Sequence, residues 1–181
     1  MKENCARFVI LGLLSHQPMS GYELKKYSGQ WISYFWDIGY GQIYPALKEM
    51  SKKGLIKITV SEGKRAESKT YSLTTAGKTE LLKWLKSPKK NEVYRSELLL
   101  KLFFSALIEP AFSLEKMNAL KAESLKHMQI LHGAVTDLEK HISASPQHPY
   151  YMFTAMFGER YYKMCSEWAD DVMRILKKIQ P

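Results

Sequence analysis

Three short segments with helical periodicity precede a β-rich segment, and this order constrains the fold more than any other feature of the chain. Apolar residues recur at spacings of three and four over 6–14, 24–31 and 43–50. Segment 55–60 is rich in β-branched residues, and 68–73 is its expected partner in a two-stranded hairpin. Helical periodicity returns after the hairpin. The order helix, helix, helix, hairpin, helix predicts a winged helix-turn-helix.

Start and stop signals separate these segments. Pro18 ends the first helical pattern because proline cannot continue a helix. Ser20 and Glu23 predict a capping box at the start of the second helix, in which each side chain satisfies a backbone N–H group of the first turn. The glycine-containing segment 35–41 predicts a connector, and Gly54 predicts the end of the third helix. The second helix is expected to bury Leu24, Tyr27 and Trp31.

The hairpin has a polar tip at 61–67, with a turn glycine and the adjacent cations Lys64 and Arg65. Either Thr74 or Thr75 is expected to cap the fourth helix.

A polar, proline-containing break at 87–91 predicts a domain boundary. We expect a winged helix-turn-helix domain at 1–87 and an antiparallel helical domain at 91–181. The whole chain is therefore expected to be mainly α, of the α+β class.

The second domain is expected to contain three helices. The first, at 92–108, is apolar almost all round and is expected to be buried on more than one side. The second runs from 113 to 143 and has a seam of a helix pair at Met128, Leu131, Val135, Leu138 and Ile142. The third follows Pro149 with the same spacing at Tyr161, Cys165, Trp168, Val172, Ile175 and Ile179.

The net charge of +9 is unevenly distributed. The excess of Lys and Arg over Asp and Glu is 7 in residues 1–86 and 2 in residues 87–181. Because a locally basic surface usually faces a polyanion, this asymmetry favours contact between nucleic acid and the first half.

The third helix has the two faces that a recognition helix needs. Ile43, Leu47 and Met50 are expected to point inward. The opposite face presents Gln42, Tyr44, Pro45, Lys48 and Lys52. An amide can bond base edges, a phenol can reach a phosphate or a thymine methyl, and lysines neutralise phosphates. Lys64 and Arg65 would reach the minor groove or the backbone.

Two alternatives stay open on this face. Tyr44 is also compatible with a half-buried position against the second helix, and Lys48 and Lys52 are also compatible with a merely solvated surface.

Ordered stretches of the first half are similar to a known family. They are Ile10-Leu11-Gly12-Leu13-Leu14, Ser20-Gly21-Tyr22-Glu23-Leu24, Gly41-Gln42-Ile43-Tyr44-Pro45-Ala46-Leu47, Gly54-Leu55-Ile56 and Tyr71-Ser72-Leu73-Thr74-Thr75-Ala76-Gly77. Over about residues 6–85 the chain resembles the PadR-type transcriptional regulators. Segment 95–104 is similar to the helical C-terminal domain of a longer PadR subgroup, which the resemblance implies is a dimerisation module.

The resemblance implies an operator-binding homodimer that often represses a neighbouring gene and often releases DNA when a small molecule binds. It places the recognition-helix and wing roles on Gln42, Tyr44, Lys48 and on Lys64 or Arg65. A two-fold dimer would place its recognition helices roughly 34 Å apart and would require a palindromic operator.

Aromatic residues concentrate in the last helix, at Tyr150, Tyr151, Phe153, Phe157, Tyr161, Tyr162 and Trp168. One hypothesis is a pocket for a flat apolar or phenolic effector, lined by Phe153, Phe157, Tyr161 and Trp168. The alternative is that these aromatic residues form the core of a dimer.

The sequence gives little support for a metalloprotein, an enzyme or a membrane protein. Cys5, Cys165 and the five histidines lack metal-ligand spacing, and we find no nucleophile motif or phosphate-binding glycine loop, so we expect no metal, no cofactor and no enzymatic activity. No apolar run is long enough to span a membrane, and we expect a cytoplasmic, nucleoid-associated protein. An architectural or effector-independent DNA-binding protein remains the alternative to a regulator.

Overall fold

The computed structural model describes residues 5–62, 67–89 and 94–179. The chain divides into two compact units, Met1–Asn91 and Glu92–Pro181. The first is a winged helix-turn-helix and the second is helical, which confirms the predicted fold class. No helix within the described ranges is both long and apolar enough to span a membrane.

The first unit has the predicted order of elements, with one addition. They are α1 (Ala6–Leu14), β1 (Met19–Ser20), α2 (Gly21–Trp31), α3 (Tyr40–Lys52), β2 (Ile56–Glu62), β3 (Glu67–Leu73) and α4 (Thr75–Lys86). The sheet is antiparallel with strand order β1–β3–β2, and Met19 pairs with Tyr71. The sequence did not predict β1, because two residues are too few to show a strand period.

Local hydrogen bonds explain where these helices begin and end. The capping box is present: the Ser20 N–H donates to Glu23 Oε2 at 2.7 Å, and the Glu23 N–H donates to Ser20 Oγ at 3.2 Å. Thr74, rather than Thr75, caps α4, since its Oγ1 accepts from the Gly77 N–H at 3.1 Å. Gly54 follows the C-terminus of α3 with φ +68°, a conformation that favours glycine.

The core of the first unit lies between the helices and the inner face of the sheet. Its most deeply buried side chains are Ile10, Leu11, Leu24, Ile38, Ile43, Leu47 and Met50. Trp84 of α4 stacks on Phe8 of α1, with ring centroids 4.4 Å apart.

Three details of the first unit differ from the sequence prediction. Trp31 is 59% exposed, although α2 was expected to bury it, because it is the last residue of α2 and lies beyond the core. Ile38 is fully buried within the predicted connector. Helix α3 begins at Tyr40, inside that connector, because the Gly39 N–H is capped by Gln42 Oε1 at 3.2 Å.

The second unit is built on a long helix pair. Its elements are α5 (Glu97–Phe103), a 3-10 turn (Ser105–Leu107), α6 (Pro110–Lys140), a second 3-10 turn (Ile142–Ala144) and α7 (His148–Ile179). Lys121 bonds Asp170 at 2.7 Å and His132 bonds Glu159 at 2.8 Å, so α6 and α7 run antiparallel.

The predicted seam is confirmed on α6 more closely than on α7. Leu131 is buried, Met128, Val135 and Leu138 are half-buried, and Ile142 lies in the 3-10 turn after the helix. The face that α7 buries consists of Ala155, Gly158, Cys165, Ser166, Ala169 and Met173. The prediction was wrong for Tyr161, Ile175 and Ile179, which are exposed because they lie outside this buried face of α7.

The prediction that segment 92–108 is buried on more than one side is also wrong for a single copy of the chain. Only Leu98 and Leu102 of α5 pack against the core around Met117. Leu100, Phe103, Phe104 and Leu107 are exposed. The described part of this segment is a two-turn helix followed by a 3-10 turn, so it offers one face to the core and leaves the other uncovered.

Candidate nucleic-acid interface

Helix α3 has one face fixed in the core and one face turned outward. Ile43, Ala46, Leu47 and Met50 are buried, and their contacts hold the helix in place. Gln42, Tyr44, Pro45, Lys48 and Lys52 are all exposed on the other side. The structure therefore presents the five predicted α3 residues together on the outward part of one helix.

Gln42 has a role in the helix as well as an outward position. Its Oε1 accepts a hydrogen bond from the Gly39 N–H, which would otherwise be an unsatisfied donor before the first turn. The bond uses the amide oxygen and fixes the side chain near the helix N-terminus. The amide nitrogen, a donor, is not used by this bond.

Tyr44 is half exposed and its ring packs against the second helix. A Cβ built on Gly21, the first residue of α2, would lie 2.8 Å from Tyr44 Cε1. The Tyr40 ring stacks on it with centroids 6.0 Å apart. Tyr44 is therefore both half-buried and outward-facing. One side of its ring contacts α2, while half of the side-chain surface faces outward.

A groove of about 280 Å³ lies between α3 and the sheet. The helix contributes Tyr44, Lys48, Ser51 and Lys52, and the strands contribute Ile58, Lys69 and Tyr71. Burial raises the pKa of the Tyr71 phenol above its ordinary value of 10.0, with a smaller contribution from Tyr44.

Sequence reasoning missed Lys69. The available signal was its spacing, because residues two apart on a strand share a face and Tyr71 belongs to the inner face. Placing Lys69 at the groove from the sequence would have required knowing that the C-terminal half of α3 lies opposite β3.

The predicted wing-tip cations Lys64 and Arg65 lie outside the described residues. The strands that lead to them are described: β2 and β3 pair along their whole length, from Ile56 with Leu73 to Glu62 with Glu67.

Comparison with known proteins identifies the family. Residues 10–83 match the model of the transcriptional regulator PadR-like family. Residues 10–83 are therefore a domain of the PadR-like family of transcriptional regulators. Residues 94–177 match the model described as virulence activator alpha C-term, in line with the longer helical domain expected from the sequence.

Relatives of this PadR-like chain match it over almost its full length. The negative transcriptional regulator PadR of Bacillus subtilis is 29% identical, and the match covers 95% of this chain and 97% of that protein. The crystal structure of B. subtilis PadR in complex with operator DNA has a TM-score of 0.82 at 26% identity, covering 94% of this chain and 96% of that one. The crystal structure of the same protein with p-coumaric acid has a TM-score of 0.69 at 25% identity, covering 97% and 99%. Such relatives are transcriptional regulators, not enzymes.

The predicted effector residues of this PadR-like chain are spread along α7. Phe153 and Trp168 are 15 residues apart, which corresponds to about 22 Å of helix. Phe157 stacks on Tyr161 with ring centroids 6.5 Å apart. Trp168 instead packs against the core cluster of Met117, Ala169 and Met173. The structure therefore brings Phe157 and Tyr161 together and holds Trp168 at another level of the helix.

Tyr161 also has polar neighbours. Partial burial raises the pKa of its phenol, and charge repulsion from and hydrogen bonding with Cys165 and then Tyr94 raise it further. Its hydroxyl is neutral at physiological pH, as an unperturbed phenol would also be, and can take part in hydrogen bonds.

Proposed function

We propose that this PadR-type regulator represses transcription by binding a palindromic operator as a homodimer. The observation that carries the proposal is the division of α3 into a buried face and an exposed face with two lysines, a tyrosine and a glutamine. A helix held this way can enter a major groove without losing its contacts with the core.

The exposed residues fall into two kinds of DNA contact. Gln42 and Tyr44, near the helix N-terminus, are suited to base edges and thymine methyl groups. Pro45 would pack against the wall of the DNA major groove. Lys48 and Lys52, one and two turns further on, are suited to phosphates, as are Lys64 and Arg65 at the wing tip.

The homodimer is supported by the apolar surface of the second unit. Phe103 is 81% exposed and Leu107 is 85% exposed, next to the exposed side chains of Leu100 and Phe104. A contiguous apolar surface of this kind marks an interaction site. A second copy of the chain would cover it, and the two-fold axis would place the two α3 helices roughly 34 Å apart.

Repression and effector release are proposed by similarity. The B. subtilis relative is named as a negative regulator, and a solved structure contains that relative with p-coumaric acid. A flat apolar or phenolic effector is therefore the class to test, with Phe153, Phe157, Tyr161 and Trp168 as candidate contacts. Because these residues lie at different levels of α7, they would form a single site only together with other elements or a second chain.

Fluorescence anisotropy with duplex DNA tests the proposal. The gene's own upstream duplex and a scrambled duplex of equal length are titrated over a salt series. The expected result is at least roughly 1,000-fold tighter binding of the upstream duplex, with two protomers per site, and release on addition of p-coumaric acid. Equal, salt-sensitive binding to both duplexes would support the architectural alternative, and no binding to either would contradict DNA binding itself.

A further inference from the structure

We infer that the groove between α3 and β3 holds one phosphate of the DNA backbone, contacted jointly by Lys48, Lys52 and Lys69. The inference rests on the proposed DNA binding and adds Lys69, a residue of the sheet, to the contact surface. It gives the groove a single occupant, a phosphodiester group of the duplex.

The helical side of the groove is a ridge of three residues. Tyr44, Lys48 and Lys52 follow one another at intervals of four, which places them on one side of α3. Ser51 lies beside this ridge and adds a hydroxyl group to the wall of the groove.

The strand side of the groove is a row of residues on β3 that faces the ridge of α3. Lys69 and Tyr71 are two residues apart on β3 and so share a face of the sheet. Their partners on β2 are Val60 and Ile58, and Ile58 also lines the groove. Lys69 thus lines the same groove as Lys48 and Lys52.

Charge favours an anion here. The lining residues include three lysines and no carboxylate within the part of the chain that the structure describes. None of the three lysines forms an ion pair with a described carboxylate, whereas Lys53, one residue beyond α3, is paired with Glu49 at 2.6 Å. The ammonium groups repel one another, and a phosphate between them relieves that repulsion.

Two phenols complete the site. The hydroxyl of Tyr71 is protonated at neutral pH, since even the ordinary pKa of 10.0 lies well above 7 and burial raises the pKa further, so it can donate a hydrogen bond to a phosphate oxygen. Tyr44, held against Gly21, stands at the other end of the ridge. A phosphate in the groove would fix the orientation of α3 in the major groove without selecting a base sequence.

The test compares Lys69→Gln with Lys57→Gln in the full-length protein. Lys57 is an exposed lysine of β2 next to Ile58, so it lies on the opposite face of the same sheet and provides an equal change in charge. Anisotropy titrations use the upstream duplex and the scrambled duplex over a salt series. Lys69→Gln is expected to weaken both duplexes by the same factor, roughly tenfold, and to reduce the salt slope by about 1. Lys57→Gln is expected to match the wild type, and Lys69→Arg to retain most of the affinity.

Each result of these titrations tests either the phosphate site or DNA binding itself. Equal weakening by Lys57→Gln and Lys69→Gln would show a general electrostatic field and overturn the inference. Wild-type affinity in Lys69→Gln would overturn it while leaving the proposed function intact. If that variant binds DNA normally and the wild type binds inorganic phosphate saturably in calorimetry, the groove takes a free anion instead. A wild type that binds neither duplex would overturn the proposed function together with this inference.

Discussion

The ring of Tyr44 in α3 lies directly against Gly21, the first residue of α2, so that a Cβ at position 21 would be 2.8 Å from Tyr44 Cε1. The glycine is needed for space and not for backbone conformation, since Gly54 is the glycine with a positive φ among the described residues. This contact joins the supporting helix to the outward face of α3 and fixes the direction of the phenol.

The first prediction concerns this contact. Gly21→Ala is expected to displace the Tyr44 ring and to lower affinity for the upstream duplex roughly tenfold, or about 1.4 kcal/mol. Gly29→Ala is the matched control, because it lies on the same helix with no atom within 4 Å of its added Cβ. In a Tyr44→Ala background the effect of Gly21→Ala should disappear, since the two residues are coupled by contact. Additive losses would contradict the proposed link.

The second prediction concerns the packing of α4. A Cβ on Gly77 would lie 2.1 Å from the Leu55 carbonyl oxygen and 2.8 Å from Leu73 Cδ1. Because the first neighbour is backbone, Gly77→Ala is expected to reduce the free energy of unfolding by about 3 kcal/mol. Gly12→Ala, which meets nothing within 4 Å, should be stabilising by about 0.5–1 kcal/mol. Chemical denaturation followed by circular dichroism measures both, and equal stability of the two variants would refute the steric argument.

The third prediction is a pH dependence of the capping box. Hydrogen bonds from the Ser20 backbone N–H and then from the Ser20 hydroxyl lower the pKa of Glu23 below its ordinary value of 4.5. A lowered pKa in the folded state means that the contribution of Glu23 to stability is complete above pH 4.5 and is lost as the pH falls through the folded value. Because the side chain is exposed, we expect an advantage of only a few tenths of a kcal/mol over Glu23→Gln at pH 7.

Urea denaturation of the wild type and Glu23→Gln between pH 7 and pH 3 measures this advantage. The two stability curves should converge as the pH falls below 4.5. A gap that stayed constant over the whole range would mean that the charge of Glu23 has no part in the cap.

The fourth prediction concerns the exposed apolar surface of the second unit. Phe103→Asp changes an 81% exposed side chain, so a monomer would tolerate it, whereas a dimer interface would have to bury the new carboxylate. Sedimentation velocity should show dimers for the wild type and monomers for the variant at micromolar concentration. Leu85→Asp, at a 62% exposed position of α4, is the control and should remain dimeric. If both variants sediment as dimers, the dimer interface lies elsewhere.

Much of the first unit could be predicted from the sequence because its signals are local. The capping box needs only Ser20 and Glu23, the end of α3 needs only Gly54, and the spacing of Ile43, Leu47 and Met50 defines a buried face within three turns. The predicted outward residues of α3 follow from the same period. Each of these features depends on side chains and backbone groups within about four residues of one another.

Tertiary structure decided the features that depend on distant neighbours. Trp31 has the spacing of a buried residue but lies beyond the edge of the core, and Trp168 lies apart from the Phe157–Tyr161 pair because helical rise separates residues that are close in sequence.

The sequence by itself determined the order of the elements, their caps and the outward face of α3, since a period of 3.6 residues and a cap are properties of adjacent residues. Only the tertiary structure decided that Gly21 makes room for Tyr44 and that Lys69 faces the groove beside Lys48 and Lys52. The physical reason is that these contacts join residues more than 15 positions apart, and packing of the whole core sets which surfaces meet.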